Sequence, residues 1–150
     1  MKPERVIILN DKKEKLVGYL YKNTSKTLVI ICHGIDPING YPGTTEVFEF
    51  YHQVGASVFS FDFSGYGESE GTKKISLNQR VLDIGKVVEH FAPKYNEIIL
   101  YGVSMGGIVA GGSIKVYGGF VDFIAPSSAA TRTIRVEGTV NESVSFVKVN

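Results

Sequence analysis

Short apolar runs alternate with helical patterns along the first 125 residues of the chain. Three of these runs stay apolar on both faces, as the buried strands of a parallel sheet do, at residues 27–32, 57–61 and 98–101. The run at 120–125 has the same character. Because each run is only four to six residues long and rich in β-branched or aromatic side chains, we expect strands and not buried helices.

Helical periodicity fills the gaps between these runs. Thr44 or Thr45 is suited to cap the first predicted helix. Its apolar stripe is Val47, Phe48, Tyr51 and Val54.

Ser76 and Gln79 have the spacing of a capping box for the second helix. Its stripe is Leu77, Val81, Ile84, Val88 and Phe91. A third helix, weakened by its glycines, is predicted at 108–117. Strands that alternate with helices predict an α/β fold with a mostly parallel, doubly wound sheet.

Antiparallel hairpins are predicted near both ends of the chain. Residues 5–9 and 16–21 flank a polar turn, which is typical of a hairpin. Residues 131–149 lack helical periodicity and place apolar residues among polar ones, so a second hairpin is expected there. We therefore divide the chain into a core at 1–130 and an atypical β-like tail at 131–150.

Composition indicates one globular domain and argues against several classes of partner. The chain has 150 residues, 43 % of them hydrophobic, and a net charge of +1, with no basic cluster that would favour nucleic acid. The apolar run at 28–32 is too short to span a membrane, and no leader peptide is evident at the start. Cys32 is the single cysteine, so a reducing cytoplasm is expected. The three histidines lack metal-ligand spacing, and we expect neither a metal nor a cofactor.

The run at 98–101 leads directly into Gly-Val-Ser-Met-Gly-Gly at residues 102–107. This Gly-x-Ser-x-Gly pattern would arise by chance in roughly one chain in seven of this glycine content, so its position between a strand and a helix carries the inference. On such a turn the Ser104 hydroxyl is exposed above the sheet edge. The amide of Met105 would begin the helix, where it can stabilise an oxyanion.

Two upstream motifs extend the pattern. Cys32-His33-Gly34 follows one predicted strand, and Asp-Phe-Ser-Gly-Tyr-Gly-Glu-Ser follows another at residues 62–69. Together with the turn around Ser104, their order and spacing resemble the esterase, lipase and serine-peptidase-like branch of the α/β-hydrolase family. The resemblance covers roughly residues 15–128.

The resemblance implies acyl hydrolysis with Ser104 as the nucleophile and a small acyl ester or related molecule as the substrate. It implies that the amides of Ile35 and Met105 are the oxyanion donors, and that Gly34 allows their close approach. His33 would shape this oxyanion loop and would not act as the base. Asp62 would brace its own loop by hydrogen bonds and would not be the triad acid.

The rest of the triad is missing from the sequence. The family order is serine, acid, histidine, but Ser104 is followed by Asp122, Glu137 and Glu142 and by no histidine. Three explanations remain open: the chain is the N-terminal part of a longer hydrolase, it is an inactive relative that serves as a binding module, or an upstream histidine is the base. The upstream histidines are His33, His52 and His90. A shortened sheet would also leave an open edge that favours self-association.

Overall fold

The computed structural model describes residues 2–34, 43–74, 76–103, 133–140 and 143–149. For residues 43–47 and from 103 onward it describes the backbone alone. The strands are β1 (Glu4–Leu9), β2 (Lys15–Tyr21), β3 (Thr27–Cys32), β4 (Ser57–Phe61), β5 (Glu97–Val103), β6 (Thr133–Val140) and β7 (Ser143–Val149). The helices are α1 (Gly43–Gln53) and α2 (Leu77–Phe91).

The seven strands form one mixed sheet in the order β1-β2-β4-β3-β5-β6-β7. Strand β3 is parallel to both of its neighbours, β4 and β5, and β5 is parallel to β6. Strands β1 and β2 form an antiparallel hairpin that joins the sheet through β4. Helices α1 and α2 are the crossovers from β3 to β4 and from β4 to β5 that parallel strands of one sheet require. The predicted α/β fold with an antiparallel N-terminal hairpin is therefore confirmed.

The register of the three central strands aligns the ends from which the sequence motifs leave the sheet. Cys32 at the end of β3 pairs with Phe61 at the end of β4 and with Gly102 in β5. Because parallel strands point in the same direction, the residues that follow these positions leave the sheet at one edge. We call this the carboxyl edge and the opposite one the amino edge.

The two faces of the sheet are covered by different helices. Along β3, side chains alternate between the two faces, as the strand period of two requires. Leu28 and Ile30 belong to the core cluster that includes residues of α2, whereas Val29 and Ile31 belong to the cluster that includes Tyr51 of α1. All four side chains are at most 1 % exposed, which explains why this run is apolar on both faces.

The tail forms the predicted hairpin and continues the sheet. Strands β6 and β7 are antiparallel, and Val136 of β6 pairs with Leu100 of β5. The division of the chain at residue 130 stays a prediction, since 104–132 lie outside the described residues. The helix predicted at 108–117 and the strand predicted at 120–125 lie in the same stretch.

Two details of the first predicted helix are wrong. Helix α1 begins at Gly43, so neither Thr44 nor Thr45 is its N-cap. Val54 is 67 % exposed and does not belong to the buried stripe, because α1 ends at Gln53 and the chain then turns into β4, which begins at Ser57. Gly55 makes this turn with a φ of +93°, a conformation that favours glycine.

The second helix follows its prediction except at its first turn. Ser76 is the N-cap, and its hydroxyl accepts a hydrogen bond from the amide of Gln79 at 3.2 Å. The reciprocal half of the box is absent among the described contacts, because the Gln79 side chain donates instead to Asp11 and Asp83. Leu77 is 44 % exposed, since the first residue of α2 precedes the part of the helix that packs on the sheet. Neither described helix is long and apolar enough to cross a membrane.

Truncation of Ile84, which is 1 % exposed, should lower the free energy of unfolding far more than truncation of Leu82. We expect Ile84→Ala to cost about 2–5 kcal/mol, because it removes transfer free energy and leaves a cavity under α2. Leu82→Ala, at a side chain 38 % exposed on the same helix, should cost less than about 1 kcal/mol. Urea unfolding of both variants measures the difference, and equal losses would contradict the assigned helix face.

Candidate functional site

The His33 side chain joins the two loops that leave the carboxyl edge after β3 and β4. It is 2 % exposed, and its Nε2 accepts a hydrogen bond from the amide of Phe63 at 3.0 Å. Its Nδ1 lies 2.9 Å from the carbonyl oxygen of Gly34. Because an amide can only donate and a carbonyl can only accept, the ring is neutral and carries its proton on Nδ1. The Nε2 atom of His33 therefore joins the two loops, and Nδ1 fixes the ring within its own loop.

Asp62 organises the loop after β4. Its carboxylate Oδ2 accepts a hydrogen bond from the amide of Glu68 at 3.3 Å, and the Ser69 hydroxyl donates to its carbonyl at 2.6 Å. Gly67 has a φ of +51°, and a β-carbon at this position would collide with the Asp62 carboxylate. Oδ1 lies 4.0 Å from Nε2 of His33, which is beyond hydrogen-bond distance. The carboxylate thus braces its own loop.

Arg80, which the sequence analysis missed, lies behind the start of the loop after β3. Its side chain is 2 % exposed, and Nη1 donates hydrogen bonds to the carbonyl oxygens of His33 at 2.9 Å and Gly34 at 2.8 Å. The guanidinium also lies over the rings of Phe63 and Tyr66, at 4.5 and 4.9 Å from their centroids. Burial lowers the pKa of Arg80, but a guanidinium stays protonated at neutral pH.

A signal for Arg80 was present in the sequence. The residue lies four positions before Ile84 and eight before Val88, so it shares the apolar face of α2. A charged side chain on a buried helix face requires polar partners in the interior. The helical pattern therefore indicated a buried polar contact, although it did not identify the carbonyls that Arg80 meets.

Asp83, one turn further along α2, anchors the other loop. Its side chain is fully buried, and it accepts hydrogen bonds from the amide of Ser64 at 2.9 Å, from Gln79 at 3.0 Å and from Asn10 at 3.3 Å. Burial raises the pKa of the Asp83 carboxyl above its ordinary value of 3.8, and these hydrogen bonds oppose the rise. The two buried charged residues of α2, Arg80 and Asp83, thus each hold a different loop of the carboxyl edge.

The other two histidines lie at the amino edge. The backbone carbonyl of His52 accepts a hydrogen bond from the side-chain nitrogen of Asn23. The backbone amide of Asn23 donates to the hydroxyl of Ser57, the first residue of β4. His90 is in the last turn of α2, which leads to the start of β5. Burial lowers the pKa of His90. Strand β4 has five residues, so the two edges are about 16 Å apart.

Cys32 is the nucleophilic side chain nearest to the end of β3, but its environment makes it inert. It is fully buried, and burial raises the pKa of its thiol to about 12. At neutral pH the thiol is therefore protonated, whereas the thiolate is the reactive form. Among the residues that the structure describes, no group of three or more histidine, cysteine, aspartate or glutamate side chains could hold a metal ion.

The structure thus brings His33, Gly34 and Asp62 together at the carboxyl edge. Ser104, Met105 and Ile35 lie outside the described residues. Strand β5 ends at Val103, the residue before Ser104 in the sequence. The described part of the site therefore consists of the start of the loop after β3, the loop after β4, and β5 as far as Val103.

Comparisons with known proteins agree with this architecture. A family profile described as serine aminopeptidase, S33, matches residues 23–144. An uncharacterized membrane protein of Saccharomyces cerevisiae is 30 % identical over 110 residues, which cover 69 % of this chain and 37 % of that protein. A proline iminopeptidase of Pestalotiopsis fici is 33 % identical over 85 residues, covering 55 % of this chain and 29 % of the relative.

The likeness extends to a solved structure. An esterase of Pyrococcus furiosus superposes with a TM-score of 0.67 at 30 % sequence identity, over 73 % of this chain and 44 % of the esterase. The chain therefore spans less than half the length of each of these three proteins.

The raised pKa of Asp83 predicts how stability depends on pH. Between the ordinary carboxyl pKa of 3.8 and the higher value in the folded protein, the folded state binds more protons than the unfolded chain. The contribution of Asp83 to stability therefore falls as pH rises through this window. In Asp83→Asn this contribution is absent, so the wild type should lose stability relative to the variant as pH rises.

Urea unfolding of the two proteins from about pH 3 to pH 7 measures this difference. All other titrating groups are common to both proteins and cancel in the comparison. Parallel stability curves would contradict a raised pKa, and a wild type that gains on the variant with rising pH would indicate a lowered one.

Proposed function

Since the chain belongs to the serine aminopeptidase S33 family of α/β-hydrolases, we propose that it is the nucleophile-bearing part of a serine acyl hydrolase. Ser104 is the nucleophile, and the amides of Ile35 and Met105 are the oxyanion donors. The substrate is a small acyl ester or a related acyl compound. The single cysteine agrees with action in a reducing cytoplasm.

One observation carries this proposal: Cys32 pairs with Gly102 in the parallel register of β3 and β5. The loop that begins at His33 and the turn that contains Ser104 therefore follow neighbouring strands at the same edge. In open α/β sheets this edge is where substrates bind. The described part of the loop is rigidly held by His33 and Arg80, which suits an oxyanion donor that must not reorganise during the reaction.

The proposed reaction proceeds in two steps. The Ser104 hydroxyl attacks the acyl carbonyl while a base accepts its proton, and the base passes this proton to the leaving oxygen, so that the alcohol departs as the acyl-serine forms. Water then attacks the acyl-serine and loses a proton to the same base, which returns it to the serine oxygen as the carboxylic acid is released. The two proposed amides bind the oxyanion of each tetrahedral intermediate.

The histidines of this chain are poorly placed to be that base. Both ring nitrogens of His33 bind backbone groups of the loops, and its Nε2 faces the amide of Phe63. His52 and His90 lie at the amino edge, about the length of β4 away. We infer that the base comes from polypeptide other than these 150 residues, which also accounts for the lack of a histidine after Ser104.

Imidazole in solution should replace the missing base. We expect imidazole to raise hydrolysis of a short nitrophenyl ester by the wild-type chain at least tenfold more than by Ser104→Ala, since general-base assistance contributes about 10²–10⁴. The rate measured with Ser104→Ala at the same imidazole concentration gives the direct reaction of imidazole with the ester, and this background rate is subtracted. Intact mass after fluorophosphonate treatment in the presence of imidazole should show one adduct that depends on Ser104.

A matched control is Ser25→Ala, at a serine near the start of β3 on the amino edge. This variant should keep both the imidazole response and the adduct. Equal rates for wild type and Ser104→Ala at every imidazole concentration would refute Ser104 as the nucleophile. Full activity without imidazole, dependent on Ser104, would show instead that a histidine of this chain is the base.

We also propose a second candidate function, an interaction module that associates with another chain through an end strand of the sheet, β1 or β7. Within the described strands, β1 pairs only with β2 and β7 pairs only with β6. Each end strand therefore has one side that no other described strand pairs with. An end strand with such a side favours pairing with a strand of another chain.

Sedimentation equilibrium should then give a mass above 16.4 kDa that rises with protein concentration. A proline placed in β1, at Ile7, should lower this mass if β1 is the pairing edge, because it removes a backbone donor. A monodisperse monomer across the concentration range would argue against the module.

A further inference from the structure

Arg80 is a buried cation whose partners are backbone carbonyls and aromatic rings. It makes no ion pair with any carboxylate in the described part of the chain, and within that part its Nε and Nη2 have no hydrogen-bond partner. Burial of a guanidinium is energetically expensive, because a charge taken out of water keeps much of its desolvation cost even when it is hydrogen-bonded. A methionine of similar length would fill the same volume without burying a charge, although it would not donate to the two carbonyls that Arg80 meets. The position of the charge therefore calls for a reason other than packing.

The two hydrogen bonds that Arg80 does make fall on consecutive carbonyls. Nη1 lies 2.9 Å from the oxygen of His33 and 2.8 Å from the oxygen of Gly34. One nitrogen thus fixes two successive peptide planes at the point where the chain leaves β3. Phe63 and Tyr66 fix the guanidinium in turn, through contacts at 4.5 and 4.9 Å.

A trans peptide group couples the two sides of each plane. Its C=O and N–H point in opposite directions, so a carbonyl held toward α2 directs the amide of the same plane away from α2. For the peptide that begins with the carbonyl of Gly34, this amide is the one that the proposed function assigns to the oxyanion. The positive guanidinium also polarises the carbonyl it binds, which strengthens the amide as a donor.

We propose that Arg80 is the positioning residue of the oxyanion loop: from behind the loop it holds the carbonyls of His33 and Gly34 so that the following amide faces the reacting carbonyl. This inference rests on the proposed function. Arg80 itself touches neither the substrate nor Ser104 in this scheme and acts through the peptide groups alone.

The test compares Arg80→Met, Arg80→Lys and the control Val88→Ala. Val88 is 2 % exposed on the same helix, two turns further from the loop, so its truncation destabilises the core without touching the carbonyls. The readout is imidazole-supported ester hydrolysis, with kcat and KM measured separately on folded protein.

For Arg80→Met we expect kcat to fall roughly tenfold to hundredfold with little change in KM, because the misdirected amide weakens transition-state binding only. Arg80→Lys, which keeps the charge but not the planar fork, should recover part of kcat. Val88→Ala should keep the wild-type kcat. An unchanged kcat in Arg80→Met, or an equal loss in Val88→Ala, would overturn the proposal.

Hydrogen exchange of the amides from residue 33 to residue 36 tests the same contact without any activity. Exchange there should accelerate in Arg80→Met and stay at the wild-type rate in Val88→Ala. If Ser104-dependent turnover is absent from the wild type, the proposed function fails, and exchange alone decides whether Arg80 holds the loop. Unchanged exchange in Arg80→Met overturns that role, and acceleration confined to this variant supports it.

Discussion

The parallel register of β4, β3 and β5 is the constraint on which the rest of the site depends. It places Phe61, Cys32 and Gly102 in one row across the sheet, so the chain segments that follow them begin side by side. A shift of β3 by one residue would reverse every side chain of that strand between the two faces of the sheet. Because Leu28 and Ile30 face one core and Val29 and Ile31 face the other, such a shift would separate each from its packing partners. Core packing thus secures the geometry of the edge.

Helix α2 controls both loops of that edge through two buried residues of opposite charge. Arg80 donates to carbonyls of the loop after β3, and Asp83 accepts from an amide of the loop after β4. The two residues are three positions apart and therefore lie on neighbouring turns of one helix face. His33 closes the arrangement by bonding to both loops. The interior charges are tolerated because they bind backbone groups that would otherwise be buried without partners.

Most of the fold could be predicted from the sequence, since its strongest signals are local. The run at 27–32 is β3 with the same bounds, and the apolar stripe from Val81 to Phe91 is the buried face of α2. Errors occurred at the ends of the two helices, where a local pattern does not mark the boundary. Val54 fits the helical spacing of α1, but the helix ends one residue earlier and the side chain is exposed. The spacing of apolar residues does not show how far the sheet extends under the helix.

The sequence by itself determined which segments become strands and helices, because the periodicity of apolar residues decides which face each segment can bury. It also predicted which loops belong to the proposed site, because glycine, histidine, aspartate and serine at strand ends form a recognisable pattern. Tertiary structure alone decided how His33 and Arg80 are used. Their partners, the amide of Phe63 and the carbonyls of His33 and Gly34, are backbone groups. Every residue except proline carries the same backbone groups, so no sequence pattern marks the ones that a distant side chain will bind.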